Sequence, residues 1–256
     1  MVKSIIDLMS PLIAGQKRLS SGSEALYHYW QSRFQDWLDG RPATTKTGEA
    51  FLASLEVNSL KPNTVGCAAR ALRRMGLDVP APSMEWGEPK YLELEEVKRL
   101  IEAAPSLLER TVLTITFGSA CRISEVLNLE LPDLELDAEV ATVTRKGGRR
   151  ERVALGKQGT TALREWLSHR QSRSKRVFMD YTYQDIYRML KRTAKKAGIP
   201  DFTPHCLRHS RVRHLQEAGL DWPDISEICG HTKVETTIKI YGRRKAEQRG
   251  RLLVDF

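Results

Sequence analysis

The sequence predicts a mainly α-helical protein with a small β-hairpin, divided into two domains. In most segments apolar residues recur every three or four positions, which is the period of an amphipathic helix. One segment, 139–155, instead alternates apolar and polar residues around a glycine turn. A run with three prolines and a glycine, VPAPSMEWGEPK, disfavours continuous secondary structure. We therefore expect an N-terminal domain at 1–80, a linker at 81–90 and a C-terminal domain at 91–256.

The composition is that of a globular protein with a net positive charge. Of its 256 residues 41% are hydrophobic and 29% charged, and 41 Lys and Arg against 32 Asp and Glu give a formal charge of +9. Such an excess favours a polyanionic partner, either nucleic acid or an acidic membrane surface. An inert basic surface would carry the same charge, so composition alone leaves the partner open.

The sequence carries no pattern typical of a secretory signal or a membrane span. The longest mostly apolar runs, such as Val112–Phe117, are too short to cross a bilayer. The four cysteines stand far apart, without a CxxC pair. We therefore expect a cytoplasmic protein with reduced thiols and no membrane partner.

The N-terminal domain is predicted to be helical. Ser23–Leu38 carries an aromatic stripe at intervals of three and four, which is typical of a core-facing helix. Thr47–Leu55 and Thr64–Met75 show two further helical patterns. The last of these helices has a basic face that is either solvated or suited to lie along a DNA backbone. Its candidate DNA contacts are Arg70, Arg73 and Arg74.

The C-terminal domain is predicted to begin with two helices, and the second of them, Leu107–Phe117, is apolar enough to be buried. Ser119 or Ser124 is expected to begin the next helix. Arg122 enters that helix directly after the buried segment, where a surface charge is out of place. Glu125 follows three residues later and can pair with it.

The alternating segment predicts a β-hairpin whose turn is Lys146-Gly147-Gly148-Arg149. Five basic residues lie between Arg145 and Arg152. They make either a soluble sheet edge or a tip that enters a DNA groove and places one lysine there. The candidate DNA contacts on it are Arg145, Arg149 and Arg150.

Two further helices are predicted at Thr160–Ser168 and Tyr183–Ala197, the second ending at a Gly-Ile-Pro stop. The second helix has a basic face, which is either solvated or in contact with phosphates. Its candidate DNA contacts are Arg188, Lys191 and Arg192.

The segment Thr203–Tyr241 holds four of the six histidines, and three of these four lie in two clusters. The first cluster is HCLRH, from His205 to His209, and the second is Gly230-His231, with Tyr241 ten residues later. A core needs neither arrangement, because these side chains bring polar atoms that must be satisfied when buried. A site that binds a phosphodiester and attacks it would need both.

Two alternatives compete for this segment. The stretch 221–241 also has the pattern of a helix-turn-helix with its turn at Gly230, as in a non-catalytic DNA-binding regulator, although Arg122 and Lys146 would then have no role. His205 and His209 have the i, i+4 spacing of zinc ligands on a helix, but the cysteines are too scattered to complete a recognisable ligand set.

Three segments together resemble the catalytic domain of the tyrosine recombinase (phage integrase) family. They are Arg122-Ile-Ser-Glu125, Lys146-Gly after a strand, and His205-x-x-Arg208 followed by Gly-His and a tyrosine. The resemblance covers roughly 91–244, while the region before it is similar to the family's N-terminal core-binding domain in size and helicity. The family usually places its tyrosine one residue nearer to Gly-His, so Tyr241 is shifted by about 100° of helix.

The resemblance implies a two-domain DNA clamp that cuts and rejoins DNA strands at specific sites through a covalent 3′-phosphotyrosine. The implied partners are double-stranded DNA and further copies of the chain, as a homo-tetramer on paired DNA sites. No cofactor and no metal is implied, because the phosphotyrosine conserves the energy of the broken ester. A type IB topoisomerase shares this chemistry and is a second alternative.

The resemblance also implies a role for each motif residue. Two guanidinium groups would clamp the phosphate oxygens, a lysine would be the general acid for the leaving 5′-hydroxyl, and a tyrosine would be the nucleophile. Two histidines would bind the phosphate or assist proton transfer, and one glutamate would orient its neighbours. The implied clamp is Arg122 and Arg208, the implied acid is Lys146 and the implied nucleophile is Tyr241. The two histidines are His205 and His231, and the glutamate is Glu125.

Overall fold

The structure is a computed structural model that describes residues 21–83, 89–178, 181–230 and 234–242. The chain divides into two compact units, 1–87 and 88–256. Within the described ranges both units are mostly helical, and the second also holds a three-stranded antiparallel sheet. The predicted fold class, mainly α with a small sheet, is therefore confirmed. Residues 84–88, half of the predicted linker, lie outside the described residues.

The described part of the first unit contains three helices, α1 (Ser21–Leu38), α2 (Thr45–Val57) and α3 (Pro62–Arg73). The side chain of Thr44 accepts the N–H of Thr47 and so begins α2, while Pro62 at the first position of α3 lacks only an N–H that a helix start leaves unpaired. The aromatic stripe of α1 packs into the core of this unit, as expected from its periodicity. The core is formed by Trp30, Phe34, Leu38, Phe51, Leu52, Leu55, Val65, Ala68, Ala69, Ala71, Leu72 and Val79.

The second unit is built around a buried central helix, α5. Its helices are α4 (Leu94–Glu102), α5 (Leu107–Gly118), α6 (Ile123–Leu127), α7 (Gly156–His169), α8 (Tyr183–Lys196), α9 (Pro204–Glu217), α10 (Trp222–Cys229) and α11 (Val234–Tyr241). Helix α5 packs against α4, α6, α7, α8 and α9. Its residues Val112, Leu113 and Ile115 are fully buried, which agrees with the apolar pattern of its sequence.

The sheet has the order β1 (Leu134–Glu135), β2 (Val140–Thr144) and β3 (Arg150–Ala154), all antiparallel. The predicted hairpin is β2–β3, paired from Val140↔Ala154 to Thr144↔Arg150. Ala141 and Val143 face the core while their neighbours in β2 do not, as the alternation predicted.

The prediction that Ser119 or Ser124 begins the helix after α5 is wrong. Helix α6 begins at Ile123, and Arg122 is the residue before it. Ser119 instead donates its hydroxyl hydrogen to the carbonyl oxygen of Ile115 at 2.7 Å, which ties it to the end of α5.

A small apolar cluster joins the last three helices. It contains Ala120, Val212, Leu215, Ile225 and Cys229, and Tyr241 packs against it. This cluster brings the end of α11 next to α9 and to the loop before α6, which are the segments that carry the histidine and arginine motifs.

Candidate active site

Arg122 is held at the start of α6 by Glu125. The Arg122 N–H donates to Glu125 Oε2 at 2.8 Å, and Arg122 Nη1 donates to Glu125 Oε1 at 2.7 Å. One carboxylate therefore satisfies a free N–H of the helix start and also fixes the guanidinium. The side chain of Arg122 stays 35% exposed, so a ligand in solvent can reach it.

Glu125 is shared between two arginines. Its side chain is 4% exposed, and its Oε2 also accepts a hydrogen bond from Arg145 Nη1 at 2.8 Å. Burial raises the pKa of the Glu125 carboxyl, but the hydrogen bonds from Arg122 and the positive charges of Arg145 and Arg122 lower it more. The net pKa lies below the usual range, so Glu125 is an anion at neutral pH.

The prediction that Arg145 contacts DNA is wrong, because its side chain is only 3% exposed. Besides Glu125, its guanidinium contacts Glu151 Oε1 at 3.0 Å, Cys121 Sγ at 3.7 Å and the carbonyl oxygen of Ile228 at 3.4 Å. These acceptors come from α6 and the loop before it, from β3 and from α10, and they replace the water that a surface arginine would have.

Arg208 is the largest fully buried side chain among the described residues, with 1% exposure. Its Nη1 donates to the Ala120 carbonyl and its Nη2 to the Cys229 carbonyl, each at 2.7 Å. Ala120 has a positive φ of 53°, which costs a non-glycine residue about 1 kcal/mol and turns its carbonyl towards Arg208. A guanidinium has five N–H groups, so three remain for a ligand or other contacts.

His205 and His209 lie one turn apart on α9, and His209 contacts Tyr241. Their rings meet edge to face with centroids 4.6 Å apart. His205 keeps an exposed surface, but the surrounding protein removes part of its hydration and so lowers its pKa, and the positive charges of Arg208 and Arg122 lower the pKa further. His205 is therefore neutral at neutral pH and can either donate or accept a hydrogen bond.

Tyr241, the last residue of α11, is hydrogen-bonded to His209. Tyr241 Oη lies 2.5 Å from His209 Nδ1, and the phenol donates when this nitrogen carries no proton. Helix α11 is regular from 234 to 241, so no bulge within it absorbs the one-residue shift of the tyrosine. Tyr241 still reaches the helix that carries Arg208.

The pKa of Tyr241 is raised well above the ordinary tyrosine value. Burial is the main cause, and the negative charge that a Cys229 thiolate would carry acts in the same direction. The positive charges of Arg208 and Arg122 act in the opposite direction without outweighing burial. The phenol is thus a hydrogen-bond donor at neutral pH, and its attack requires the proton to be taken up.

The remaining predicted catalytic residues are Lys146 and His231. Lys146 is exposed on the turn of the β2–β3 hairpin, beside Gly147 and Gly148, which both have positive φ. His231 lies outside the described residues.

The other predicted DNA contacts are spread over α3, the hairpin and α8. Arg73, Arg149, Arg150, Arg188 and Arg192 are exposed. The remaining three, Arg70, Arg74 and Lys191, are half-buried, and the ammonium of Lys191 donates to the carbonyl oxygens of Pro200 and Phe202 at 3.1 and 2.9 Å.

Sequence reasoning did not assign a role to His209 at the tyrosine. The only signal was its spacing of four residues from His205, which suggested a zinc site instead. Within the described residues, no three His, Cys, Asp or Glu side chains are grouped in a way that would hold a metal ion. None of the helices there is both long and apolar enough to cross a membrane.

Comparison with known proteins places this geometry in context. Residues 90–248 match the model of the phage integrase family. Over 254 residues the chain is 30% identical to tyrosine recombinase XerA of Thermococcus kodakarensis, covering 89% of each protein. It is 29% identical to tyrosine recombinase XerD of Corynebacterium glutamicum, covering 88% of each. The fold is similar to that of the Tn1549 transposon integrase solved in complex with transposon right end DNA, with a TM-score of 0.77, 15% identity, and coverage of 96% of this chain and 97% of the other.

Proposed function

Because the chain belongs to the phage integrase family of tyrosine recombinases, we propose that it acts on double-stranded DNA with Tyr241 as its nucleophile. Its activity is that of the family, the breaking and rejoining of DNA strands in site-specific recombination. The relatives give no support to the regulator or topoisomerase alternatives. DNA as the partner is supported by the neighbour of the same fold that was solved with transposon DNA.

The hydrogen bond between Tyr241 and His209 carries the assignment of the nucleophile. It joins the phenol to α9, the helix of Arg208, although the tyrosine is shifted by one residue. His209 Nδ1 is a proton acceptor 2.5 Å from the hydroxyl, as an attacking phenol requires.

Charge balance at the site supports phosphodiester binding. The guanidinium groups of Arg122, Arg145, Arg149 and Arg208 outnumber the two carboxylates of Glu125 and Glu151, which leaves the site with a net positive charge. A phosphodiester carries one negative charge and would neutralise part of it. The free N–H groups of Arg122 and Arg208 would bind its oxygens and stabilise the charge of the transition state.

The proposed step is a transesterification. Tyr241 Oη forms a bond to phosphorus as its proton passes to His209, and the bond from phosphorus to the 5′-oxygen breaks. The leaving oxygen takes its proton from Lys146 and becomes a 5′-hydroxyl. His205 and His231 would hydrogen-bond the phosphate or assist proton transfer, and Glu125 would hold Arg122 in place.

DNA affinity would come from exposed and half-buried arginines on three segments. These are Arg70, Arg73 and Arg74 on α3 and at its C-terminal end, Arg149 and Arg150 on the hairpin, and Arg188 and Arg192 on α8, with Lys191 adding charge rather than a direct contact. Recombination exchanges strands between two sites, so we propose that four protomers assemble on two duplexes.

Covalent trapping tests the proposed function. The substrate is a duplex with the sequence that the protein selects from a random library, nicked beside the cleaved bond so that the leaving fragment diffuses away. The wild-type protein should form an SDS-resistant adduct, while Tyr241→Phe should form none and bind the same duplex with unchanged affinity. Tyr183→Phe, which alters an exposed tyrosine, should react like the wild type. An adduct of undiminished yield in Tyr241→Phe would contradict the assignment.

A further inference from the structure

Arg145 is a buried cation for which the proposed reaction has no direct use. Its guanidinium joins three separate segments of the second unit: Glu125 in α6, Glu151 in β3 and the carbonyl oxygen of Ile228 in α10. A Cβ at Gly230 would overlap this guanidinium, so the end of α10 lies directly against it. A side chain that spans three segments fixes them relative to one another.

Arg145 also stands at the base of the hairpin turn, immediately before Lys146. Its N–H donates to the Arg149 carbonyl at 2.7 Å, and its own carbonyl accepts the N–H of Gly148 at 3.0 Å. Lys146 is exposed, while Arg145 continues the inward face of Ala141 and Val143. Because adjacent Cα atoms are about 3.8 Å apart, fixing Arg145 fixes the point from which the lysine extends.

The clamp residue Arg122 does not depend on this anchor. Glu125 holds Arg122 through its own two contacts, one to the backbone N–H and one to Nη1. Loss of the Arg145 side chain would leave both contacts in place. The hairpin, by contrast, would lose the side chain that ties its turn to α6 and α10.

We propose that Arg145 is a positioning residue that delivers Lys146 to the leaving 5′-oxygen. The inference rests on the proposed function, in which the Lys146 ammonium gives its proton to that oxygen as its bond to phosphorus breaks. Arg145 anchors the turn through Glu125, Glu151 and Ile228, and the anchored turn sets the reach of the lysine. Loss of Arg145 therefore removes proton delivery while phosphate binding by Arg122 and Arg208 persists.

Two substrates distinguish a role of Arg145 in proton delivery by Lys146 from any other role of Arg145 in the reaction. One nicked duplex carries the ordinary phosphodiester at the cleaved position. The other carries sulfur in place of the bridging 5′-oxygen, and its thiolate leaves without needing a proton because a thiol is far more acidic than an alcohol. Single-turnover cleavage rates on both duplexes are measured for Arg145→Met, for Lys146→Ala as a reference, and for Arg152→Met, a matched loss of an exposed arginine from β3.

Arg145→Met should cleave the oxygen ester about 10²- to 10³-fold more slowly than the wild type, as expected for loss of a general acid. On the sulfur ester its rate should come within about tenfold of the wild type, as should that of Lys146→Ala. Arg152→Met should match the wild type on both. Equal slowing of Arg145→Met on both esters, with Lys146→Ala rescued, would overturn the inference about Arg145.

The reference variant keeps the two proposals distinguishable. Lack of rescue of Lys146→Ala would overturn the acid assignment, and with it the inference that depends on it. Arg145→Lys guards against misfolding of the methionine variant, because it keeps the charge but cannot contact all three segments at once. It should show the same selective rescue by sulfur, and a wild-type rate of Arg145→Lys on the oxygen ester would overturn the inference.

Discussion

At the scale of single residues, the proposed mechanism depends on the protonation state of the Tyr241 hydroxyl. Burial raises its pKa well above the ordinary value of about 10, so the resting enzyme holds a neutral phenol against His209. In the proposed reaction the phenolate would form only as this proton leaves, which would keep Tyr241 from reacting before a phosphodiester is bound.

This state of Tyr241 predicts the outcome of a spectrophotometric titration. Phenolate absorbance that develops up to about pH 11 should include no contribution from Tyr241. Tyr241→Phe should therefore leave the amplitude up to about pH 11 unchanged. A loss of amplitude in Tyr241→Phe would show that its pKa is not raised.

Glu125 gives a prediction for stability. Its pKa in the folded state is depressed, so it contributes stability that is fully present above its unfolded pKa of about 4.3 and is lost as the pH falls through the lower folded value. Glu125→Gln should cost about 3 kcal/mol at neutral pH, because the buried Arg145 and the half-buried Arg122 both lose this charge partner.

Urea unfolding at a series of pH values checks this prediction. The difference between wild type and Glu125→Gln should be full at pH 7 and shrink below about pH 4. Glu95→Gln, which breaks an exposed pair with Lys98, should change stability by less than about 1 kcal/mol. A pH-independent difference for Glu125→Gln would mean that its charge is not what stabilises the site.

At the scale of elements, two independent features require a glycine at position 230, where α10 meets the hairpin. Gly230 ends α10 with a φ of +64°, and Arg145 occupies the space that a Cβ would need. Gly230→Ala should cost about 1 kcal/mol for the left-handed backbone and more for the overlap with Arg145.

A double-mutant cycle separates the two costs. In the Arg145→Met background the overlap is relieved by the flexible methionine, so Gly230→Ala should cost less than in the wild type, with a coupling of at least about 0.5 kcal/mol. The free energies of unfolding by urea for the four proteins give the coupling. Strict additivity would show that Arg145 and Gly230 do not press against each other.

The elements also show what sequence patterns can and cannot predict. Helix α5 and strands β2 and β3 were predictable because their hydrophobic patterns are local in the sequence and their buried positions hold apolar residues. The start of α7 at Gly156, four residues before the predicted Thr160, was not, because the residue before it, Leu155, makes no side-chain cap. Strand β1 was missed because two residues are too few to show an alternation.

The candidate site was predictable where its residues keep the spacing of a motif. Arg122, Glu125 and Arg208 stand together as their motifs suggested. Arg145 was misassigned because an arginine on a basic hairpin normally faces solvent, and its burial depends on partners 20 and 83 residues away. Such distant contacts leave no periodic signal in one sequence.

At the scale of the whole molecule, the net charge of +9 and the division into two units set expectations for assembly. Strand exchange between two sites predicts that four protomers gather on two duplexes. Native mass spectrometry of Tyr241→Phe with the selected duplex should show a complex of four chains and two duplexes. Complexes of one chain with one duplex at all protein concentrations would contradict the proposed tetramer.

The identity of the residue that becomes bonded to DNA tests the central claim most directly. The wild-type adduct formed on the nicked duplex is digested with nuclease and trypsin, and the peptide that carries the residual nucleotide is sequenced by mass spectrometry. The nucleotide should be attached to Tyr241, the shifted tyrosine of α11. Its attachment to another residue, such as Tyr181 or Tyr183, would contradict the proposed active site.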